Sequence, residues 1–162
     1  MGDMKTDEPW LDEGEQVLWR RWLRVNALLP AALHRALQAD SGLSLPDFDV
    51  LVQLSESPEG RVRVNDLAHA LHWERSRVSH HITRMERRDL VRREECADDG
   101  RGAFVVLTPR GRTSIQQAVP GHVQEVRRRI FDQVDADEID LVAMVLDKIL
   151  RSLDGAAAAK SV

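Results

Sequence analysis

Stepping about 100° per residue from Val78 along a helix brings Ser76, Arg77, Ser79, His80, Thr83, Arg84 and Arg87 to one side. None of the seven is acidic. Arginine can fork onto guanine edges or pair with phosphate, while Ser, Thr and His supply short donors that reach phosphate or base without clashing. The chemistry on offer is contact with a polyanion. A solvated surface helix with ordinary charges is the other explanation, but such a helix usually mixes both signs on its outer face. Here Glu86 and Asp89 are placed towards the core side.

The elements that must position this face can be read on either side of it. The helix itself spans Arg75 to Arg88 and buries Val78, Ile82 and Met85, at successive offsets of four and three. A shorter helix opening at Asn65-Asp66-Leu67-Ala68 precedes it, with Leu67, Ala68 and Leu71 apolar, and His72-Trp73-Glu74 forms the turn between them. After it come two β-rich runs, Leu90 to Cys96 and Ala103 to Leu107, joined by Ala97-Asp98-Asp99-Gly100-Arg101-Gly102, which is hairpin chemistry. This order is that of a winged helix-turn-helix, a device for placing one helix in a DNA groove. At the hairpin tip, Arg101 stands between two glycines that allow close backbone approach, and Asp99 could hold its guanidinium. Arginine suits a narrow, electronegative minor groove; an exposed tip kept soluble by Arg101 is the plainer alternative, and the preceding helix favours the groove.

Leu67-Ala68, Ser76-Arg77-Val78-Ser79, Arg84 to Val91, Asp99-Gly100-Arg101 and Val106-Leu107-Thr108-Pro109-Arg110-Gly111 together resemble the MarR family of transcriptional regulators, in order and spacing from about Leu43 to Gly111. The resemblance implies a homodimeric winged-helix DNA-binding protein, commonly a repressor released by small molecules. It also implies that Ser76, Arg77 and His80 occupy groove-reading positions and that Asp99 and Arg101 are the wing pair. Asp89 departs from the pattern, standing where relatives usually carry glycine to end the recognition helix. Asp tolerates the left-handed conformation at modest cost.

Composition fits a small regulator. The 162-residue chain is long enough for a real core. Its formal net charge of -4 argues superficially against a polyanion partner, but Arg75 to Arg93 holds seven arginines against Glu86 and Asp89. That segment is net +5 and the remainder net -9. An acidic body with a basic reading face is therefore expected. Glu94, Glu95, Asp98 and Asp99 temper the wing, so moderate affinity is expected of it. No apolar run approaches a membrane span and the N-terminus lacks the basic start of a signal peptide, which predicts a cytoplasmic protein with no membrane partner.

The flanks predict the assembly. Asp12 to Ala39 reads as a long helix with an apolar stripe at Leu18, Trp22, Val25, Leu29, Leu33 and Leu37, kinked at Pro30. A further helix runs from Leu45-Pro46-Asp47 through Leu54, and a short strand follows at Arg61 to Val64. Thr108-Pro109 opens another helix, bent at Pro120-Gly121 and resuming through Phe131. Asp135 and Glu138 cap the last helix, in which Ile139, Val142, Leu146, Ile149 and Leu153 repeat at coiled-coil spacing. Leu18 and these five are candidate dimer contacts, packing within one subunit being the alternative. The expected class is mainly α (α+β): a winged helix-turn-helix over residues 43–108, helical dimerisation segments at 12–42 and 109–154, and flexible tails at 1–11 and 155–162.

By family resemblance, a small apolar or aromatic effector would lie near the dimer interface, with Trp19, Trp22, His34 and Phe48 as candidate liners; ordinary packing is the competing explanation for each. No cofactor is expected. Enzyme readings find no glycine-rich phosphate loop, nucleophile elbow or paired-carboxylate constellation. His69, His72, His80 and His81 lack the Cys or carboxylate that would complete a metal site, so none is assigned. Oxidant sensing through Cys96 is an alternative mode of regulation, disfavoured by Glu94 and Glu95 beside the thiol. A winged helix used only for protein contact is another, and it would not need the acid-free face.

Overall fold

Local signals in the sequence start and stop most of the helices. The computed structural model describes residues 10–95 and 103–159, with side chains described as far as residue 154. Helix α1 (Glu13–Ser41) begins at Asp12 in a reciprocal capping box with Glu15 and ends at Gly42, whose φ of 68° lets its N–H reach the carbonyl of Gln38. Helix α2 (Leu45–Glu56) uses the same device, Ser44 with Asp47. Strand β1 (Arg61–Arg63) leads directly into α3 (Val64–Ala70), and α4 (Arg75–Glu86) follows after the expected turn. Strands β2 (Val91–Glu95) and β3 (Ala103–Leu107) precede α5 (Pro109–Arg129), a 3₁₀ turn (Phe131–Gln133) and α6 (Ala136–Ala159).

The sheet has the order β1-β3-β2, antiparallel throughout, with Arg61 opposite Val106 and Val91 opposite Leu107. Its inner face meets α2, α3 and α4 in one core. Val50, Leu51, Leu54, Leu67, Val78, Ile82, Met85 and Val105 are all fully buried there. Each contributes about 1.5–3 kcal/mol of apolar burial, so α4 is anchored by packing rather than by helix propensity.

Four expectations are corrected. Helix α4 stops at Glu86, not Arg88, because Asp89 adopts φ 57° and closes a Schellman motif: its N–H bonds Glu86 O at 2.9 Å and that of Leu90 bonds Met85 O at 3.1 Å. Asp89 is consequently exposed rather than turned towards the core. Helix α5 ends at Arg129, since Ile130 leaves helical geometry (φ -121°, ψ -70°) and Phe131 opens the 3₁₀ turn. Helix α6 continues through Gly155 to Ala159, where a tail was expected from residue 155; the alanines after Gly155 have the highest helix propensity and offset one glycine. Pro30 and Pro120 lie inside α1 and α5, which run on past them as expected.

The wing is fastened at its base by Thr108. Its Oγ1 lies 2.6 Å from Asp89 O and 3.0 Å from Leu90 O, and accepts from Gly111 N at 2.9 Å, capping α5. Gly111 is required by this approach, since a Cβ there would fall 2.0 Å from Leu90 O. Outside the core, α6 and the first half of α1 leave large apolar side chains exposed, among them Leu18, Trp22, Leu146 and Leu153.

Candidate nucleic-acid interface

The outer face of α4 carries Ser76, Arg77, His80 and Arg84 in the open, with Arg87 exposed on the turn that follows. Arg75 is exposed at the helix start as well. Ser79 and Thr83 are half-buried, because Arg93 reaches across from β2. Its Nη2 donates to Ser79 O at 2.7 Å, both terminal nitrogens lie 3.2 Å from Thr83 Oγ1, and Glu86 accepts from its Nη1 and, at 2.8 Å, from its backbone N–H. The Thr83 hydroxyl is further committed to Ser79 O at 3.0 Å. Thr83 thus joins the wing to the helix, and its hydroxyl is not an open donor.

Counting cations by segment overstated the free charge. Arg93 is paired with Glu86, Arg92 with Glu94 at 2.7 Å and Arg88 with Asp47 at 2.6 Å. Among the described residues, Arg75, Arg77, Arg84 and Arg87 have no acidic partner, and all four lie on α4 or its end. Arg61 and Arg63 flank the ring of Phe104 at 4.7 and 4.9 Å on the β1–β3 side of the sheet. Two arginines alternating along a short strand, Arg61-Val62-Arg63, are the sequence signal of this pair.

The inner side of α4 contains a polar cluster that was also missed. His81 is 6% exposed, its Nε2 in close but poorly aligned contact with Asp47 Oδ1 at 3.0 Å and its Nδ1 2.8 Å from Arg84 Nη2. Arg88 donates to Asp47 and to Gly42 O at 3.0 Å. Burial opposes ionisation of Asp47, but His81, the backbone and hydroxyl of Ser44, and Arg88 outweigh it and hold the carboxyl well below the usual carboxylate range. The signal was available: His81 lies three residues after Val78 and four before Met85. His69 and His72 have ring centroids 6.3 Å apart, and no group of three metal-capable side chains gathers among the described residues.

Asp99 and Arg101, expected as a wing pair, and Cys96 lie outside the described residues. Of the four candidate effector liners, Trp19, Trp22 and His34 stand on α1 and Phe48 on α2. Trp19 and Trp22 are exposed on α1, His34 accepts the Leu45 N–H at 3.2 Å, and Phe48 is buried with its ring 4.3 Å from that of His122. An open cleft of about 750 Å³ lies between α1 and the end of α5, floored by Val25, Leu28, Leu29 and Ala32 and rimmed by Arg21 and Arg24. The six candidate dimer residues, Leu18, Ile139, Val142, Leu146, Ile149 and Leu153, are each at least 36% exposed in the single chain. No described helix is long and apolar enough to cross a membrane.

Comparison with known proteins now bears on this geometry. The MarR family model matches residues 41–102. AbsC, a MarR family transcriptional regulator from Streptomyces coelicolor, shares 42% identity over 91% of this chain and 99% of its own, with a TM-score of 0.86. Sco3205, a MarR family regulator from the same organism solved in complex with DNA, shares 36% identity over 90% of this chain and 92% of its own, with a TM-score of 0.85. MarR from E. coli, at 21% identity over 82% of this chain and 96% of its own, with a TM-score of 0.66, shares the fold. With an acid-free helix face on a three-stranded wing and similarity running the length of two such regulators, the chain belongs to the MarR family of winged-helix transcriptional regulators.

Proposed function

We propose that two copies of this chain bind an inverted-repeat DNA operator and repress transcription by covering a promoter. The observation that carries the reading is the outer face of α4, where every acid-free cation of the recognition segment is exposed. The Sco3205 complex with DNA supports it. In this reading Ser76, Arg77 and His80 approach base edges, Arg84 and Arg87 hold phosphates, Ser79 and Thr83 line the approach, and Asp99 and Arg101 extend to the minor groove. Two such helices about 34 Å apart would enter successive major grooves.

The second copy is proposed because α6 and the first half of α1 have little to bury against within the subunit. Leu18, Ile139, Val142, Leu146, Ile149 and Leu153 would be covered by it. A small apolar or aromatic effector would act on this assembly only by binding one recognition-helix spacing more tightly than another. The protein would work in the cytoplasm, where its operator is.

The test is selection of bound fragments from genomic DNA, followed by fluorescence anisotropy on the selected site at low and high salt. A two-fold symmetric consensus with affinity falling steeply as salt rises is expected. Absence of binding at low salt would sink the proposal.

A further inference from the structure

Among the exposed arginines of α4, Arg77 alone lies over an aromatic ring. Its Cζ sits 4.2 Å from the ring centre of Trp73, the residue four positions earlier in the turn between α3 and α4. Trp73 is itself fixed. Its backbone N–H bonds Ala68 O at 2.9 Å, and the preceding His72 takes a left-handed φ of 51° that turns the chain into α4. The indole packs against the core and meets the buried His81 ring edge-on, at 5.5 Å and 85°. The platform under Arg77 is therefore part of the folded framework.

We propose that Trp73 is a positioning residue for base recognition, holding the Arg77 guanidinium in place with its hydrogen-bond donors unspent. This rests on the reading of Arg77 as a base contact. A guanidinium held over a ring spends none of its N–H groups on a hydrogen bond there, which leaves them available for the two acceptors of a guanine edge. Arg84, by contrast, places Nη2 2.8 Å from His81, and Arg88 spends donors on Asp47 and Gly42. An unsupported arginine must also lose rotamer freedom on binding, and a stacked one has lost part of it already. Preorganisation of this kind serves discrimination between bases, since the donors are aimed before DNA arrives.

The experiment uses the full chain and random-sequence duplexes. A preferred site is selected with the wild type, and affinity is then measured for that site and for every single base-pair change in it. The same panel is run with Arg77→Ala, Trp73→Leu, Trp73→Phe and the double variant Trp73→Leu/Arg77→Ala. Trp73→Leu should lose about three- to tenfold in discrimination at the base pair where Arg77→Ala loses it. Its salt dependence should be unchanged, because no phosphate contact is removed. Trp73→Phe should keep most of the discrimination. The double variant should discriminate no worse than Arg77→Ala, the coupling expected if Trp73 acts through Arg77.

In the free protein the Arg77 side-chain N–H resonance should be shifted upfield by the indole ring current and should return on Trp73→Leu. Because the shift is read in the wild type, its absence counts against the proposal even where Trp73→Leu loses folding. A wild-type resonance without that shift overturns the proposal. So does wild-type discrimination in Trp73→Leu, or a loss equal on all sites and undiminished in the Arg77→Ala background, which would mark a purely structural tryptophan. If Arg77→Ala changes preference at no position, the base-contact reading falls first and the positioning role with it. If Arg77→Ala changes it and Trp73→Leu does not, only the positioning role falls.

Discussion

Arg88 Nη1 and Asp47 Oδ2, 41 residues apart in the chain, meet at 2.6 Å and tie the end of the recognition helix to the start of α2. The contact is lopsided, since the Arg88 side chain is 44% exposed and that of Asp47 only 4%. Most of the energetic consequence therefore belongs to the buried carboxylate. Asp47 also caps α2 through the Ser44 N–H at 2.9 Å and touches His81, so its removal strands several partners at once. Asp47→Asn should cost about 2–4 kcal/mol at neutral pH. A carboxyl whose folded value lies below its ordinary value near 3.8 stabilises the fold above that value and loses its contribution as pH falls through the folded one. The gap between wild type and Asp47→Asn should therefore narrow below about pH 4. Urea unfolding at pH 7, 5 and 3 would show this, and a gap independent of pH would contradict it.

Arg93 makes a second prediction. It bridges β2 to α4 through Glu86, Ser79 O and Thr83, a geometry that uses the planar fork of a guanidinium. Arg93→Ala should loosen the wing with a stability loss of about 1–2 kcal/mol, and Arg93→Lys should recover little of it. Hydrogen exchange at Val91 to Glu95 is the direct readout. It should accelerate in both variants while the amides around Val50 to Leu54 hold their protection.

These two clusters mark the limit of what sequence could reveal. The three-and-four spacing of Val78, Ile82 and Met85, the Thr108-Pro109 opening and the Asp135/Glu138 cap are local patterns, and each became the element they imply. The Asp47–Arg88 and Glu86–Arg93 pairs span loops and strands whose relative placement no local pattern records. Charge counting consequently overestimated the free positive surface. The end of α4 was misplaced for a related reason: Arg87 and Arg88 are good helix formers, and the Schellman closure at Asp89 depends on Leu90 finding the core. The four proposed effector liners were chosen for apolar or aromatic character, which says nothing of whether a second subunit completes a cleft around them.

Gly111 supplies a test of the joint between wing and α5. Because a Cβ would sit 2.0 Å from Leu90 O and 2.9 Å from Leu107 Cδ1, Gly111→Ala must displace backbone. A loss at or above the upper end of about 1–3 kcal/mol is expected. Gly14→Ala is the control, its Cβ meeting only the Asp12 side chain at 3.3 Å in an exposed first turn. Thermal unfolding of the two variants should separate them clearly.

Arg87 and Arg77 should fail in different ways on DNA. Arg87 sits beyond the last turn of α4 with no acidic partner among the described residues, suited to a phosphate. Arg87→Ala should weaken binding by a similar factor on all sequences and lower the slope of log K against log salt by about 0.9 per lost contact. Arg77→Ala should instead relax preference at one position of each half-site, at a cost of about 1–3 kcal/mol on the best site. Anisotropy titrations on matched and mismatched duplexes at several salt concentrations distinguish the two patterns.

The exposed faces of α6 and α1 carry the last prediction. Leu146 and Ile149 are 36% and 40% exposed in the single chain, and none of the residues described on α6 is buried within it. Asp137, Glu138, Asp140 and Asp147 lie on the same helix, so a further acid on the apolar face meets like charge as well as losing burial. If a second copy covers that face, Leu146→Glu/Ile149→Glu should remove about 0.5–1.2 kcal/mol of burial per side chain in each protomer, four side chains in all, since only the area still exposed in the single chain is there to be covered. Sedimentation should then report a monomer whose helical content by circular dichroism is little changed, since α6 does not support the winged-helix core. On a symmetric site the variant should bind no more tightly than on a single half-site, because the linkage between two recognition helices is gone. A variant that stays dimeric would place the interface elsewhere, and a monomer that keeps full affinity for the symmetric site would show that pairing does not set the spacing of the reading helices.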